Sequence, residues 1–259
     1  MSSAPSASSA PSASPSDARL AATLAEQAGA LLLRLRAASG LTGKELGARG
    51  DASANELLLR SLAAARPSDA VLSEESADSP ARLRAERVWI IDPLDGTREF
   101  GMAGRTDWAV HIALWQAGRG ITDAAVAQPA LGAVYASDSV AAAGGGAASP
   151  VVLASDSRPP AFASAVAEAV GGKLRTMGSA GAKAMAVVRG EAGAYVHAGG
   201  QWEWDSAAPV GVAVAAGLHA SRIDGSGLAY NQARPYLPDL VICRKELAGV
   251  ILSALAEYA

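Results

Sequence analysis

A single cysteine among 259 residues leaves no intrachain disulfide to form. Cys243 closes the apolar run Leu240-Val241-Ile242-Cys243, which marks it as a buried strand thiol rather than a nucleophile. The three histidines, His111, His197 and His219, are dispersed. No HxH or HExxH spacing is present, which argues against a zinc site. Gly residues and charges interrupt every apolar run before it reaches membrane-spanning length. The net charge of −3 supplies no bulk field for nucleic acid or anionic membrane, so neither is an expected partner. Residues 1–16 are almost wholly Ser, Ala and Pro, with neither the basic start nor the long apolar core of a secretory signal. They are expected to form a disordered tail, and the chain to be cytoplasmic.

What remains is an apolar chain. Half the residues are hydrophobic but only 5% are aromatic, so Ala-rich helices packed closely on sheets are expected. The length suffices for one large domain or two packed halves. Asp17 is a candidate N-cap for a first helix, with Leu20, Leu24, Ala28, Leu31, Leu32 and Leu35 at helical spacing until Gly40. A second helix is predicted from about Ala52 to Ala65, ended by Pro67. Strands are predicted at 70–73, 88–91, 108–115, 121–127 and 131–136. The Gly-rich stretch Ala141–Ser149 reads as the break between a half spanning 17–145 and one spanning 146–259. The second half reads as a strand at 151–154, a helix over 160–170, a strand near Leu174, a helix over 182–189 and a strand at 194–197. A helix then follows Asp205 up to Gly217, with strands near Ala220 and Leu240 and a last helix from Glu246. Helices and strands alternate as layers, without a sequence repeat.

The chemistry concentrates in three acidic segments, each at the end of an apolar element. Val88-Trp89-Ile90-Ile91 is a strand-forming run that stops at Asp92, and Pro93-Leu94-Asp95-Gly96 predicts a tight turn. Two carboxylates three residues apart, beside a Gly-Thr pair with free amides, suit a divalent metal and a phosphate. The same residues are also compatible with an ordinary Asx turn. Val71-Leu72-Ser73-Glu74-Glu75-Ser76 ends in an acid pair, which a solvated loop would equally explain. Trp202-Glu203-Trp204-Asp205-Ser206-Ala207-Ala208 places Asp205 at the start of a small-residue helix, where it would equally serve as N-cap.

Ser-Glu-Glu-Ser, Asp-Pro-Leu-Asp-Gly-Thr and Trp-Asp-Ser-Ala-Ala, in this order and spacing, resemble the signatures of the inositol monophosphatase superfamily. Within it, Glu99-Phe100 and Ser73 resemble the CysQ-type bisphosphate nucleotidase branch. The resemblance implies an α+β fold, the layered α/β/α/β/α sandwich of the inositol monophosphatase/fructose-1,6-bisphosphatase type. It also implies a Mg²⁺-dependent, Li⁺-sensitive phosphatase with two to three ions and a homodimer. The expected substrate is a small phosphorylated molecule: 3′-phosphoadenosine 5′-phosphate and its 5′-phosphosulfate, in sulfur assimilation. A broad sugar-phosphatase acting on inositol 1-phosphate or fructose 1,6-bisphosphate is the alternative.

Two metal ions about 3.5–4 Å apart can activate a water and stabilise the leaving oxygen. On the resemblance, Asp92 bridges the ions, Glu74 and the Leu94 carbonyl join it on the first, and Asp95 and Asp205 hold the second. Thr97 would orient the attacking water while the amides of Gly96 and Thr97 hold phosphate oxygens. Asp51 reads from capping preferences as the N-cap of the second helix. The resemblance instead makes it the partner of Thr97, beside a third metal. The family's usual lead-in to this acid is replaced by Leu46-Gly47-Ala48-Arg49-Gly50, so a different loop over the site is expected. Gly178-Ser179-Ala180-Gly181-Ala182-Lys183 resembles a substrate-contacting Gly-Ser-x-x-Lys segment with one extra residue, which makes Ser179 and Lys183 substrate ligands. Lys183 is also compatible with a solvated helix position, His197 with a partly buried strand histidine, and Trp202 with core packing. As substrate ligands, His197 would lie near the nucleotide and Trp202 would stack on adenine. Pro209 is placed in the first turn of its helix, where proline is tolerated.

Overall fold

The computed structural model describes residues 15–142 and 150–258. The Ser/Ala/Pro stretch up to residue 14 and residues 143–149 of the Gly-rich stretch lie outside the described residues.

Two helices open the chain, α1 (Asp17–Ala38) and α2 (Gly43–Ala65). Five strands follow and build a first sheet: β1 (Ala70–Ser73), β2 (Arg87–Asp95), β3 (Ala109–Gln116), β4 (Gly120–Gln128) and β5 (Ala133–Ala136). They lie in sequence order, β1 parallel to β2 and the rest antiparallel. A short helix α3 (Thr97–Gly101) springs from the end of β2. The later segment gives β6 (Val151–Ser155), α4 (Ala163–Ala169), β7 (Lys173–Met177), α5 (Ala180–Val188), β8 (Ala194–Trp202), α6 (Glu203–Ala215), β9 (His219–Ser221), β10 (Tyr236–Cys243) and α7 (Lys245–Leu255). Its strands form a second mixed sheet in the order β7-β6-β8-β10-β9.

Strand alternation divides the molecule into layers. On β2, Trp89 and Ile91 face α1 and α2, where they join Leu24, Leu32, Leu58 and Leu62. Val88 and Ile90 face the other way, into the core made by α5, α6 and the second sheet. The second sheet repeats the pattern. Leu153, Tyr195, Leu240 and Ile242 face that shared core, while Val152, Val196, Val241 and Cys243 pack on α4 and α7. The result is the expected α/β/α/β/α sandwich, with both sheets covered on both faces. Small side chains let the layers close: Ala21, Ala25 and Ala28 of α1 are completely buried.

Several boundaries depart from the sequence expectations. Ser16, not Asp17, caps α1, its Oγ accepting from the Arg19 amide at 3.2 Å. α2 begins at Gly43, so Leu46–Gly50 is helical rather than a loop and Asp51 is an interior helix residue rather than an N-cap. Glycine explains why this segment lies on the site: a Cβ on Gly47 would come within 2.6 Å of Thr97 Cγ2, and one on Gly50 within 2.9 Å of Leu94 and Phe100. α6 starts at Glu203, which puts Pro209 in the helix interior instead of its first turn. There its missing N–H withdraws the usual donor from the carbonyl of Asp205.

Candidate metal and substrate site

The strand β2 does not stop at Asp92. It runs on to Asp95, with Asp92 opposite His111 and Asp95 opposite Ala109, so three steps on β2 match two on β3. In a regular strand, residues three apart point to opposite faces. This bulge supplies the extra residue that turns both carboxylates to one side. The chain then reverses through Gly96, at φ 88°, where any Cβ would crowd Ser179, Asp107 and Trp108.

Carboxylate oxygens of Asp92, Asp95 and Asp205 all lie within 4.8 Å of one another. Asp205 is the third residue of α6, and its Oδ2 accepts the Trp202 amide at 2.6 Å. Glu74, just past β1, is exposed at residue level, but its carboxyl is within hydrogen-bonding reach of Asp92. Ser73 shapes that turn, donating to Asn55 Oδ1 at 2.8 Å and accepting from the Glu75 amide at 3.3 Å.

Such crowding changes ionisation. Burial, then repulsion from Glu74, Asp95 and Asp205, pushes Asp92 well above the usual carboxylate range. Burial and the charge of Asp95 raise Asp205 to about 7. Glu74 also rises to about 7, through desolvation and repulsion by the neighbouring acids, despite its bond with Asp92. Asp95 moves oppositely. Burial alone would raise it, but the charge and contact of His111 and bonds from Ser179 and Gly181 hold it at about 2. Ser179 Oγ donates to Asp95 Oδ2 at 2.5 Å, the Gly181 amide to the same oxygen at 2.6 Å and the Ala180 amide to Oδ1 at 3.1 Å.

The donor set fits hard divalent cations. All its ligands are oxygen, and Asp92 Oδ2 is buried without a hydrogen-bond partner. In the metal-free protein the raised acids give stability below about pH 4, where they are protonated folded or unfolded, and it is lost as pH rises through about 7. Asp95 gives the reverse, stability present above about pH 4 and lost as pH falls through about 2. Metal binding must displace the protons on the raised groups. The melting temperature of chelator-treated protein is therefore expected to fall from pH 5 to pH 8. Added Mg²⁺ should raise it more at pH 8 than at pH 5. A larger magnesium effect at pH 5 would contradict this assignment.

Thr97 opens α3. Its Oγ1 lies 3.1 Å from both Asp51 Oδ1 and the Leu94 carbonyl, so one proton has two acceptors. The Leu94 amide in turn donates to Asp92 Oδ1 at 3.0 Å. Burial, then the charge of Glu75, lifts Asp51 to about 7 despite the bond from Thr97. Asp51 and Thr97 are thus paired, and an acid poised near neutrality adjoins the candidate metal ligands.

A cavity of about 310 Å³ opens beside the acids, walled by Asp95, Gly96, Thr97, Ser179, Lys183, His197 and Asp205. Arg98, Arg158, Tyr195 and Gln201 also line it, and sequence reasoning assigned none of them. Lys183 is buried. Its Nζ donates to the carbonyls of Ser179, at 2.8 Å, of Gly178, and more distantly of Met177, at 3.4 Å. Desolvation lowers it to about 8. It is thus a brace for the turn carrying Ser179, rather than a free or solvated cation. His197 is buried and lowered to about 4 by desolvation and the charge of Lys183, so it is neutral. Trp202 does not line this cavity. It is exposed and stacks on Trp204, ring centroids 5.5 Å apart, while its backbone amide anchors Asp205.

His111 is another residue sequence reasoning passed over. It is fully buried, with Nδ1 3.1 Å from the Trp204 carbonyl and Nε2 3.2 Å from Asp95 Oδ2. A ring facing a carbonyl on one side and a carboxylate on the other favours the imidazolium form. Its pKa is raised accordingly: burial lowers it, but the charge of Asp95 more than offsets that. The signal available was positional, since His111 alternates with Ala109 and Ala113 on one face of β3. Gly181 accommodates the ring, as a Cβ there would lie 2.1 Å from Nε2.

The family pattern described as "Inositol monophosphatase family" matches residues 18–259. The chain belongs to the inositol monophosphatase family. It is 56% identical over 254 residues to a 3′-phosphoadenosine 5′-phosphate phosphatase of Mycobacterium leprae, covering 93% of this chain and 94% of that protein. A protein of the same name from Mycobacterium tuberculosis is 57% identical over 239 residues, covering 89% and 90%. Among solved structures, inositol monophosphatase-II of Staphylococcus aureus superposes with a TM-score of 0.77 at 17% identity, over 93% of this chain and 95% of that one. At that identity the likeness is one of fold. No described helix of this family member is long and apolar enough to cross a membrane.

Proposed function

We propose that the chain is a Mg²⁺-dependent phosphatase that removes the 3′-phosphate of 3′-phosphoadenosine 5′-phosphate, giving AMP. The same reaction on the 5′-phosphosulfate would place it in sulfur assimilation, in the cytoplasm. That it is a phosphatase, an enzyme of the hydrolase class, follows from its family and the intact acids. The observation that carries the finer reading is the cavity that joins those acids to a second cationic group. That group is Arg158, which is exposed, lies 3.5 Å from the Gly200 carbonyl and lines the same cavity as Asp95 and Asp205. The names of the mycobacterial relatives support the same substrate.

Asp92, Glu74 and the Leu94 carbonyl would hold one Mg²⁺, and Asp92, Asp95 and Asp205 a second. Asp51 is the candidate ligand for a third. When bound, the ions supply a water activated near neutral pH and a sink for charge on the leaving oxygen. The protein's own groups do the rest. Thr97 and Asp51 orient the water and hold its proton, the amides of Gly96 and Thr97 bind phosphate oxygens, and the cavity wall fixes the nucleoside. A homodimer belongs to the same reading and is checked by light scattering.

Phosphate release should need Mg²⁺ and should be fastest for the bisphosphate nucleotide. Rates for inositol 1-phosphate or fructose 1,6-bisphosphate equal to or above it would replace this substrate with a sugar phosphate. The cationic groups divide in a second test. Arg158→Ala should leave stability unchanged and raise KM for the bisphosphate about tenfold, the effect of one lost charge-assisted bond. Lys183→Ala should lower the melting temperature and depress kcat on every substrate, because it releases the Ser179 turn. Arg158→Ala without any change in KM would remove the remote-phosphate role.

A further inference from the structure

The candidate metal ligands come from two separate parts of the chain. Glu74, Asp92 and Asp95 belong to the strands of the first sheet and their ends, and Asp205 to α6. Repulsion among these acids works to drive the start of α6 away from the sheet.

A buried polar chain outside the cavity ties the two parts together. Arg82, in the connection between β1 and β2, is 1% exposed. Its Nε and Nη2 donate to the Asp78 carboxylate at 2.7 and 2.9 Å. Nη1 donates to Asn231 Oδ1 at 2.6 Å, and Nη2 also to the Gln232 carbonyl at 2.9 Å. Asn231 Nδ2 returns a bond to the Arg82 carbonyl at 3.3 Å. The amides of Asn231 and Gln232 then donate to the two carboxylate oxygens of Glu203, at 2.6 and 2.8 Å. Glu203 is also 1% exposed and opens α6, two residues before Asp205.

The arrangement is one that packing alone does not require. Burying an arginine and a carboxylate is costly, and apolar residues of the same volume would serve stability as well. Asn231 stands at φ 61°, the only residue other than glycine with positive φ among the described residues. Asparagine tolerates that conformation better than most side chains. Here it turns two successive amides onto one carboxylate while its own side chain meets Arg82.

We infer that Arg82, Asn231 and Glu203 are positioning residues. They clamp the start of α6 to the β1–β2 connection and so set the place of Asp205 against the ligands of the first sheet before metal arrives. The inference rests on the Mg²⁺ reading of the acids given above. A site held in its bound geometry loses less to ordering when the cation binds, so the clamp raises cation affinity without touching cation or substrate.

The test is Mg²⁺ affinity of the full-length protein, measured by calorimetry without substrate and by the Mg²⁺ dependence of phosphate release. Asn231→Gly suits the left-handed backbone but removes both side-chain bonds to Arg82, whereas Asn231→Asp keeps an acceptor for Nη1. The glycine variant should need about fivefold or more Mg²⁺ for half-saturation, a smaller effect than loss of a group bonded directly to a ligand. Its KM for the nucleotide at saturating Mg²⁺ should match wild type, and the aspartate variant should keep wild-type Mg²⁺ affinity. Glu203→Gln removes one of two acceptors, should weaken Mg²⁺ binding likewise, and decides the matter if the glycine variant does not fold. Wild-type Mg²⁺ affinity in either folded variant overturns the inference and leaves the Mg²⁺ reading in place. So do equal losses in the glycine and aspartate variants, or a raised KM that saturating Mg²⁺ does not restore. Failure of both variants to fold would make the chain of bonds a requirement of the fold, and overturns the positioning role too. A wild-type protein that binds no Mg²⁺ overturns both readings.

Discussion

Asp92→Asn is expected to reduce kcat by at least about a thousandfold, roughly 4 kcal/mol of barrier, without unfolding the protein. Asp92 is the one residue proposed for both of the first two ions, and its Oδ2 is buried without a hydrogen-bond partner. An amide keeps the shape and the bond from the Leu94 amide to Oδ1. It also removes one member of a group of acids that repel one another, so the melting temperature without metal should be equal to or above that of wild type. The Mg²⁺-induced rise in melting temperature should vanish. A purified variant with more than about a tenth of wild-type activity, under ~1.4 kcal/mol of barrier, would contradict the metal-bridging role.

Thr97→Val should have the second largest effect, a loss in kcat of about 10²–10³ with KM changed little, the range for a lost proton-transfer partner. Valine fills the space against Gly47 but offers no hydroxyl to Asp51 or to the Leu94 carbonyl. Thr97→Ser keeps the hydroxyl and should stay within about tenfold of wild type. Equal loss in both variants would point to packing against Gly47 as the cause.

Much of this site was legible because acids at the ends of apolar runs are costly unless they hold something. Glu74, Asp92, Asp95 and Asp205 stand out in the sequence for that reason, and the structure brings Asp92, Asp95 and Asp205 together with Glu74 beside them. Strand runs such as 70–73 and 151–154 were legible because sheets covered on both faces need continuous apolar residues. What was not legible depends on partners far along the chain. The bulge that aligns Asp92 with Asp95 is a relation between two strands, and Pro93-Leu94 reads locally as a turn. The helix through Leu46–Gly50 was hidden because two glycines weaken its propensity, and only contact with Thr97, Leu94 and Phe100 explains them. Lys183 looked like a free cation because its carbonyl partners belong to the preceding turn, whose path the sequence does not reveal. Arg158 and Gln201 reach the cavity through tertiary placement alone.

The most direct single measurement is kcat/KM for 3′-phosphoadenosine 5′-phosphate against 3′-AMP, with Mg²⁺, under identical conditions. The two compounds present the same phosphate to the same metal site and differ only at the 5′ position. If the cavity holds the nucleotide through its second phosphate, remote binding aligns the reacting one and raises kcat as well as lowering KM. The bisphosphate should then be preferred by at least about tenfold, equivalent to roughly 1.4 kcal/mol. Equal kcat/KM for the two compounds would contradict a pocket built for the bisphosphate.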